Sequence, residues 1–395
     1  MNELVTKEPN HRPGSQSALR SANRRRIEQL LQASGGMTQA ELARQAGLAP
    51  ATVSNIIRRL KAEGTVSVEH DAKRRRRLVR LAQASGVVAG FDYGHRHLSV
   101  ALADRSHQVL AERRITLGPG LSADEALDLG AELLDEVLDE TKTPRSAVRT
   151  VGMGLPAPID DASGQVGALS ILPGWVGVNA AQLASERLGL PVYVDNEANL
   201  GAWAEHLWGA GRGTQNLAFV KLSEGVGAGL IVDGRLFRGR DGTSGEIGHT
   251  TMNDLGAVCR CGNRGCLETL IAARSVIELL QPRFSQDLTI AQVVAQANKG
   301  DTACVRVLAD TGHQAGLALA NLCNLFNPEL ILIGGELAQA GDLLLGPLRE
   351  SVRRCGIPSA TAGLQIHIGA LGARAILLGT IALALHHIDP QGAEI

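Results

Sequence analysis

The chain has 395 residues, of which 44% are apolar and 3% aromatic, and its formal net charge is −1. This length predicts two or three domains with a core built mainly from Ala, Leu and Val. The average charge hides an asymmetry, because residues 1–80 contain 16 Lys and Arg against 7 Asp and Glu, whereas the remainder contains 23 against 33. A basic segment joined to an acidic body predicts a polyanion-binding module attached to a domain of another kind.

Features of secreted and membrane proteins are absent from the sequence. The first residues lack the apolar stretch of a signal peptide. The longest apolar run, Ala375 to Leu385, is too short to span a bilayer. Cys304, Cys323 and Cys355 are scattered among apolar residues and are predicted to be core thiols. We therefore expect a cytoplasmic protein with no membrane partner.

The first part of the chain has the pattern of a helix-turn-helix. Residues 1–20 are polar and aperiodic, which is typical of a disordered tail. A helical pattern begins at Asn23. Thr38 and Glu41 form a capping box that opens a second helix, because each side chain can accept a hydrogen bond from the other residue's backbone N–H. Pro50, which is tolerated at the first position of a helix, starts a third.

The third helix and the segment after it predict a DNA-binding surface. The residues of the third helix that are predicted to face inward are Val53, Ile56, Ile57 and Leu60. Residues 65–68 and 78–81 have the pattern of two wing strands, with five consecutive cations at 73–77 between them. Each feature alone also occurs in proteins that bind no DNA, but together they favour a helix in the major groove of double-stranded operator DNA and a wing along the phosphates. The predicted DNA-binding residues are Thr52, Ser54, Asn55, Arg58, Arg59, Arg74, Arg75, Arg76 and Arg77.

After a linker at 82–86, strands and helices alternate. Strands are predicted at 87–92 and 98–103, and a similar unit begins at Leu217, about 130 residues later, with a glycine-rich turn at 225–229. Two such units favour an α/β fold with the paired lobes of an actin-like (ribonuclease H-like) domain, in which ligands bind in the cleft between lobes. The predicted domains are a disordered tail at 1–20, a winged helix-turn-helix at 21–82 and a two-lobed domain at 83–395.

Four residues near the middle of the chain predict a structural zinc site. Cys259, Cys261 and Cys266 lie within eight residues, and His249 lies ten positions upstream of the first cysteine. Thiolates and a neutral imidazole are preferred ligands of Zn²⁺, and four of them close a tetrahedral site. The alternative, a disulfide framework, is typical of short secreted chains instead. We predict that zinc braces the loop 249–266.

The residues around this loop resemble the fingerprint of the ROK family (repressors, open reading frames and sugar kinases). Glu246-Ile-Gly-His249, then Cys-x-Cys-Gly-x-x-Gly-Cys at 259–266, then Glu268 match the family pattern. The likeness covers essentially everything after residue 85 and implies a sugar-kinase-type fold. Asn196-Glu-Ala-Asn199 occupies the place of the kinase motif Asn-Asp-x-Asn, whose aspartate is the general base in family kinases. The sugar-binding residues that the resemblance implies are Asn196, Glu197, Glu246, His249 and Glu268.

Three departures from the kinase pattern argue against phosphoryl transfer. Glu197 stands at the base position, which moves the carboxylate by roughly one methylene, and an error of that size can cost on the order of a hundredfold in rate. In the first phosphate loop, Asp92 to His97, the bulky His95 and Arg96 replace a Gly-Thr pair. Glu224 adds negative charge to the second loop. We therefore predict no catalytic residue.

Together these features favour a sugar-responsive transcriptional regulator, similar to the repressor branch of the ROK family. We expect a homodimer or dimer of dimers, because one short recognition helix gains specificity by reading two half-sites. One alternative is a bifunctional sugar kinase that uses ATP and also binds DNA. The other is a DNA-binding scaffold with a vestigial sugar cleft.

Overall fold

The computed structural model describes residues 23–24, 26–28, 30–31, 36–62, 66–71, 76–81, 86–118, 120–160, 163–168 and 170–388. The predicted tail at 1–20 and residues 82–85 of the predicted linker lie outside these ranges. The described residues form two compact units. The small unit contains those up to Val87 together with Asp104–Gln108, and the large unit contains Val88–Ala103 and the residues from Val109 onward. Within the described ranges, no helix is long and apolar enough to cross a membrane.

The small unit contains the predicted helix-turn-helix. Residues 23–31 are helical wherever they are described, and they are followed by α1 (Gln39–Ala46) and α2 (Pro50–Ala62). The capping box is confirmed, because the Glu41 N–H donates to Thr38 Oγ1 at 3.2 Å and the Thr38 N–H donates to Glu41 Oε2 at 2.9 Å. Gly47 ends α1 with a φ of +63°, a left-handed conformation that glycine adopts without steric cost.

A β-hairpin completes this unit. Its strands, β1 (Val66–Asp71) and β2 (Arg76–Leu81), pair antiparallel, with Val66 opposite Leu81 and Asp71 opposite Arg76. Met37 and Val79 also exchange two backbone hydrogen bonds of 3.0 and 2.8 Å, so a residue before α1 extends the sheet. The strands are longer than predicted, because backbone pairing continues into the basic run.

The large unit contains two five-stranded sheets of equivalent strand order. The first sheet consists of β3 (Val87–Tyr93), β4 (His97–Asp104), β5 (Val109–Thr116), β6 (Val148–Leu155) and β7 (Val192–Asn196). The second consists of β8 (Leu217–Leu222), β9 (Val226–Val232), β10 (Arg235–Phe237), β11 (Leu330–Gly334) and β12 (Gln365–Ile368). The strand order is β5-β4-β3-β6-β7 in the first sheet and β10-β9-β8-β11-β12 in the second. This repeated order confirms the predicted α/β, actin-like fold.

Helices cover these sheets. They are α3 (Ala123–Thr141), α4 (Ala180–Leu188), α5 (Glu197–Trp208), α6 (Leu267–Ile271), α7 (Ala273–Leu280), α8 (Ile290–Asn298), α9 (Thr302–Phe326), α10 (Asp342–Cys355), α11 (Pro358–Thr361) and α12 (Ala375–Ile388). The apolar α12, predicted to be too short for a membrane span, packs against α5 instead. The two backbones approach so closely that a Cβ on Gly379 would lie 2.1 Å from the Leu200 carbonyl oxygen.

Two sequence predictions about the large unit are wrong. The glycine-rich turn predicted at 225–229 is confined to Ser223–Gly225, because Val226 already pairs with Leu222 at the start of β9. Cys355, predicted to be a core thiol, is exposed, because it lies at the end of α10. Cys304 and Cys323 are buried in the core as predicted.

Candidate functional site

The four predicted metal ligands converge on one point. The ligand atoms of His249, Cys259, Cys261 and Cys266 all lie within 4.8 Å of one another. Cys259 Sγ is 3.5 Å from His249 Nδ1, and Cys261 Sγ is 3.6 Å from Cys266 Sγ. A tetrahedral zinc ion with Zn–S bonds of about 2.3 Å separates its ligand atoms by about 3.5 to 3.8 Å. The donor set and these two separations therefore fit zinc.

Backbone geometry explains how such a short segment brings three sulfurs together. Gly262 and Gly265 have φ values of +89° and +60°, which L-residues rarely adopt. A Cβ on Gly265 would also lie 1.6 Å from the Asn253 carbonyl oxygen. These two glycines form the tight turns of the loop, and Gly265 additionally permits a close backbone approach.

Glu268 lies beside this loop and is already bound by an arginine. Its side chain is almost completely buried; Oε2 accepts a hydrogen bond from Arg260 Nη2 at 2.9 Å, and Oε1 forms an ion pair with Arg260 Nε at 2.9 Å. The backbone N–H of Val226 donates to Glu268 Oε2 at 3.1 Å. A buried carboxylate requires such compensation, and the forked guanidinium places two of its nitrogens against the two carboxylate oxygens. Arg260 is not among the residues that the sequence pattern predicts, because Arg264 also lies between two cysteines of the cluster and the local sequence does not distinguish the two arginines.

Among the residues that the structure describes, no arginine or lysine forms an ion pair with Glu246. Burial raises its pKa to about 7, with Arg260 opposing this effect and the neighbouring Glu268 and Glu197 adding to it. Its Oε2 atom lies 3.8 Å from His249 Nε2, which is buried and has no hydrogen-bond partner in the described part of the chain. The structure thus brings together four of the five predicted sugar-binding residues and adds Arg260.

Glu197 forms a buried ion pair with Lys221, which sequence reasoning does not identify. Glu197 Oε1 contacts Lys221 Nζ, and both side chains are at most 10% exposed. Among described residues, Glu197 Oε2 is buried without a hydrogen-bond partner. Asn196, the fifth predicted residue, caps α5 by accepting from the Ala198 N–H at 2.7 Å and donates to the Ala157 carbonyl at 2.9 Å.

The turn that resembles the first phosphate loop of the kinases, Asp92 to His97, contains a contact between its aspartate and a histidine. Asp92 is almost completely buried, and its Oδ2 atom lies 3.0 Å from His97 Nε2. A Cβ on Gly94 would lie 2.1 Å from His97 Cε1, so the imidazole occupies the space beside this glycine. The sequence pattern singles out His95 and Arg96, but Arg96 is exposed, and the side chain against Gly94 is His97. The direction of each side chain depends on the tight turn between β3 and β4.

The small unit presents a cationic groove between α2 and the hairpin. Asn55, Arg58 and Arg59 are exposed on α2, whereas Thr52 and Ser54 are half-buried. On the opposite face, Val53, Ile57 and Leu60 are buried in the core, and Ile56 is half-buried against it. The groove has a volume of about 710 Å³ and is lined by Gln39, Ser54, Ile57, Arg58, Lys61, Val68, Arg77 and Val79.

The two arginines of the basic run that the structure describes differ in their surroundings. Arg77 lines the groove beside Arg58, and Lys61 adds a third cation that the sequence prediction omits. Arg76 instead lies 3.9 Å from Glu41 of α1. Arg74 and Arg75 lie outside the described residues.

Comparisons with known proteins match both units. A family model described as ROK family matches residues 88–387, and one described as winged helix-turn-helix DNA-binding matches residues 20–67. The xylose repressor of Caldicellulosiruptor bescii is 28% identical over 389 residues, covering 94% of this chain and 97% of that protein.

Two solved structures that are similar to this chain are a transcriptional regulator and a sugar kinase. A ROK family transcriptional regulator, described as a homolog of the E. coli MLC protein, has a TM-score of 0.76 and 25% identity, with 95% of this chain and 98% of that chain covered. A ROK family glucokinase from Streptomyces griseus, in complex with glucose and AMPPNP, has a TM-score of 0.69 and 27% identity, with 76% of this chain and 99% of that chain covered.

Proposed function

The chain belongs to the ROK family, and we propose from this that it is a sugar-responsive transcriptional regulator that represses genes of carbohydrate metabolism. In this proposal residues 21–82 form the DNA-binding domain and residues 83–395 the sugar-binding domain. The proposal is supported by two features that occur together in one chain. One is the cationic surface formed by α2 and the hairpin, and the other is a kinase-type cleft in which two carboxylates already have partners. Asp92 is bound by His97, and Glu197 by Lys221.

DNA binding is assigned to the face of α2 and the adjoining hairpin. Arg58 and Asn55 are exposed on a helix of suitable length, with side chains that can donate to base edges in the major groove. Arg77 and Lys61 line the groove of the protein between α2 and the hairpin and are suited to phosphate contacts. Thr52, Ser54 and Arg59 complete the predicted contact set on α2, with Arg74, Arg75 and Arg76 on the wing.

Sugar binding is assigned to the cleft around Glu246. Native proteins leave few buried polar atoms without partners, so each exception requires an explanation. Glu197 Oε2 and His249 Nε2 are two such atoms, and the hydroxyl groups of a sugar would satisfy both. Glu246 and Glu268 would accept hydrogen bonds from further hydroxyls. The glucose complex of the Streptomyces griseus relative supports a sugar as the ligand class.

Zinc would be held by His249 Nδ1 and by the sulfurs of Cys259, Cys261 and Cys266. When bound, it would supply structural bracing to the loop, since four protein ligands leave no open position for a reactant. A metal on Nδ1 places the imidazole proton on Nε2. His249 would then present an N–H donor toward Glu246 and the cleft.

Regulation follows from linkage between the two sites. A sugar can weaken operator binding only through a difference in its affinity for the DNA-competent and DNA-incompetent states. Closure of the cleft around the sugar would change the spacing of two helix-turn-helix domains in a homodimer or dimer of dimers. We infer that the protein acts in the cytoplasm, where operator DNA and sugar effector are both present.

A sugar kinase is the second candidate, because a ROK glucokinase matches over most of its length. Phosphoryl transfer depends almost entirely on positioning and on close approach of backbone amides to the phosphates. His97 occupies the space beside Gly94 where such an approach would occur, and Lys221 binds the carboxylate at the base position. These contacts favour a sensor without kinase activity.

The proposal is tested by melting the zinc-loaded protein with a panel of pentoses, hexoses and amino sugars. Ligand at about a hundred times Kd should add about 2.7 kcal/mol of stability. The sugar with the largest shift should also change the affinity for a selected double-stranded oligonucleotide. If no sugar shifts the melting temperature, the scaffold alternative replaces the sensor.

A further inference from the structure

Arg260 is placed where the zinc loop meets the cleft. Its neighbours in sequence, Cys259 and Cys261, are two of the four metal ligands. Its guanidinium extends away from them to Glu268, with both Nε and Nη2 at 2.9 Å from the carboxylate oxygens. The loop that zinc braces therefore delivers a positive charge to a carboxylate that the proposed function assigns to sugar binding.

The surroundings of Gly225 show that Arg260 and Glu268 lie beside the turn between β8 and β9. The position that a Cβ on Gly225 would occupy lies 3.6 Å from Glu268 Oε2, 3.7 Å from Arg260 Nη2 and 3.8 Å from Ile171 Cγ2. Arg260 also acts electrostatically on Glu246 and His249. Its guanidinium is thus within the group of residues that would surround a sugar.

Hydrogen-bonding capacity at this position is not exhausted. A guanidinium has five N–H groups, and the contacts with Glu268 use only some of them. The side chain remains 27% exposed, whereas that of Glu268 is 3% exposed. A ligand that reaches the Arg260–Glu268 pair would therefore contact mainly the arginine, whose side chain can only donate hydrogen bonds.

We propose that Arg260 is a specificity-determining residue of the cleft, which holds Glu268 in place and donates hydrogen bonds to an oxygen of the sugar. This inference rests on the proposed function. A hydroxyl suits the position, because it can accept from Arg260 while donating to a neighbouring carboxylate. A hydrogen atom in its place removes the acceptor, and an ammonium group both lacks an acceptor and meets a like charge.

The test uses isothermal titration of the full-length, zinc-loaded protein with D-xylose and D-glucose. Arg260→Ala should weaken binding of the sugar by about tenfold to a hundredfold, the range for a hydrogen bond to a charged group. Zinc content and DNA affinity without sugar should stay unchanged. Arg264→Ala, which alters an exposed arginine of the same loop, is the matched control and should bind sugar normally.

A direct contact is separated from an indirect structural effect by monodeoxy and amino analogues of the sugar that binds. The analogue that lacks the oxygen contacted by Arg260 should bind the wild type more weakly than the parent sugar does. The Arg260→Ala variant should bind this analogue and the parent sugar with similar affinity, because the substitution has already removed the same contact. Equal losses for every analogue in wild type and variant would overturn the direct contact. Arg260→Gln, which preserves a donor amide at similar size, serves if the alanine variant loses zinc.

Two failures are distinguishable. If wild type binds neither sugar and no other sugar of the panel, the proposed function fails and this inference fails with it. If wild type binds sugar but Arg260→Ala or Arg260→Gln binds it equally well with zinc in place, only the role of Arg260 is refuted.

Discussion

His97 reaches back across the turn between β3 and β4 to Asp92, with 3.0 Å between His97 Nε2 and Asp92 Oδ2. Asp92 is the aspartate of the first phosphate loop in the ROK resemblance, and in this chain a side chain of the same loop binds it. The imidazole also fills the space next to Gly94. The loop is therefore organised around an internal contact.

From this contact we predict that the protein does not phosphorylate its sugar ligand. Sugar-dependent ADP release with Mg²⁺-ATP should remain far below the roughly 1 s⁻¹ that is the lower end for kinases. Glu197→Asp should not restore activity, because His97 would still cover Gly94 and Lys221 would still pair with the shorter carboxylate. Turnover at or above that rate in wild type would establish the kinase alternative.

The cluster of His249, Cys259, Cys261 and Cys266 predicts one zinc ion per chain. Cys261→Ser should lose both the metal and the sugar-induced melting shift, since a structural zinc contributes on the order of 10 kcal/mol to folding of its surroundings. Metal content by mass spectrometry and melting with sugar measure the two effects. Cys355→Ser, which alters an exposed thiol outside the cluster, is the control and should retain both. A metal-free protein that still responds to sugar would contradict the prediction.

The carboxylate cleft predicts that Glu246→Ala and Glu268→Ala each abolish the sugar-induced melting shift. The two variants lose sugar binding for different reasons. Glu246→Ala removes a direct hydrogen-bond acceptor for the sugar, whereas Glu268→Ala also leaves the Arg260 guanidinium without its carboxylate partner. Glu268→Ala should therefore lower the melting temperature of the sugar-free protein more than Glu246→Ala. DNA affinity without sugar should be unchanged in both. Glu278→Ala, on the exposed face of α7, should behave as wild type. Normal sugar binding by both cleft variants would show that the assignment of the site is wrong.

The groove between α2 and the hairpin predicts different roles for two arginines. Arg58→Ala should weaken binding to a selected double-stranded oligonucleotide by about 1 to 3 kcal/mol and relax base preference. Arg77→Ala should weaken binding to all sequences and reduce the salt slope by about 0.9, the value for one lost phosphate contact. Fluorescence anisotropy at several salt concentrations measures both.

Arg76→Ala should reduce the slope less than Arg77→Ala, because Arg76 lies near Glu41 and outside the groove. Arg212→Ala, an exposed arginine of the large unit, controls for loss of general positive charge. An unchanged slope for Arg77→Ala would mean that the hairpin does not contact phosphates.

Much of the fold follows from short-range patterns. The capping box at Thr38 and Glu41 requires only three residues of spacing, and backbone groups at a helix start have few alternative partners. The four proposed zinc ligands are similarly local, because three of the four lie within eight residues, where short chain lengths restrict the possible geometries. The sequence also predicted that strands and helices alternate along the large unit. This prediction is local too, because the spacing of apolar residues in a short segment indicates whether a strand or a helix buries one face.

The ion pairs of the cleft were decided only by tertiary structure. Arg260 has the same chemical character as the exposed Arg264, and nothing in the local sequence shows that one reaches a buried carboxylate while the other remains in solvent. Lys221 meets Glu197 only because the end of β8 lies against the start of α5. Burial then makes each partner necessary, because an uncompensated charge in a low-dielectric interior is costly. The sequence determined which residues are chemically able to act, and packing determined which of their charges remain available to a ligand.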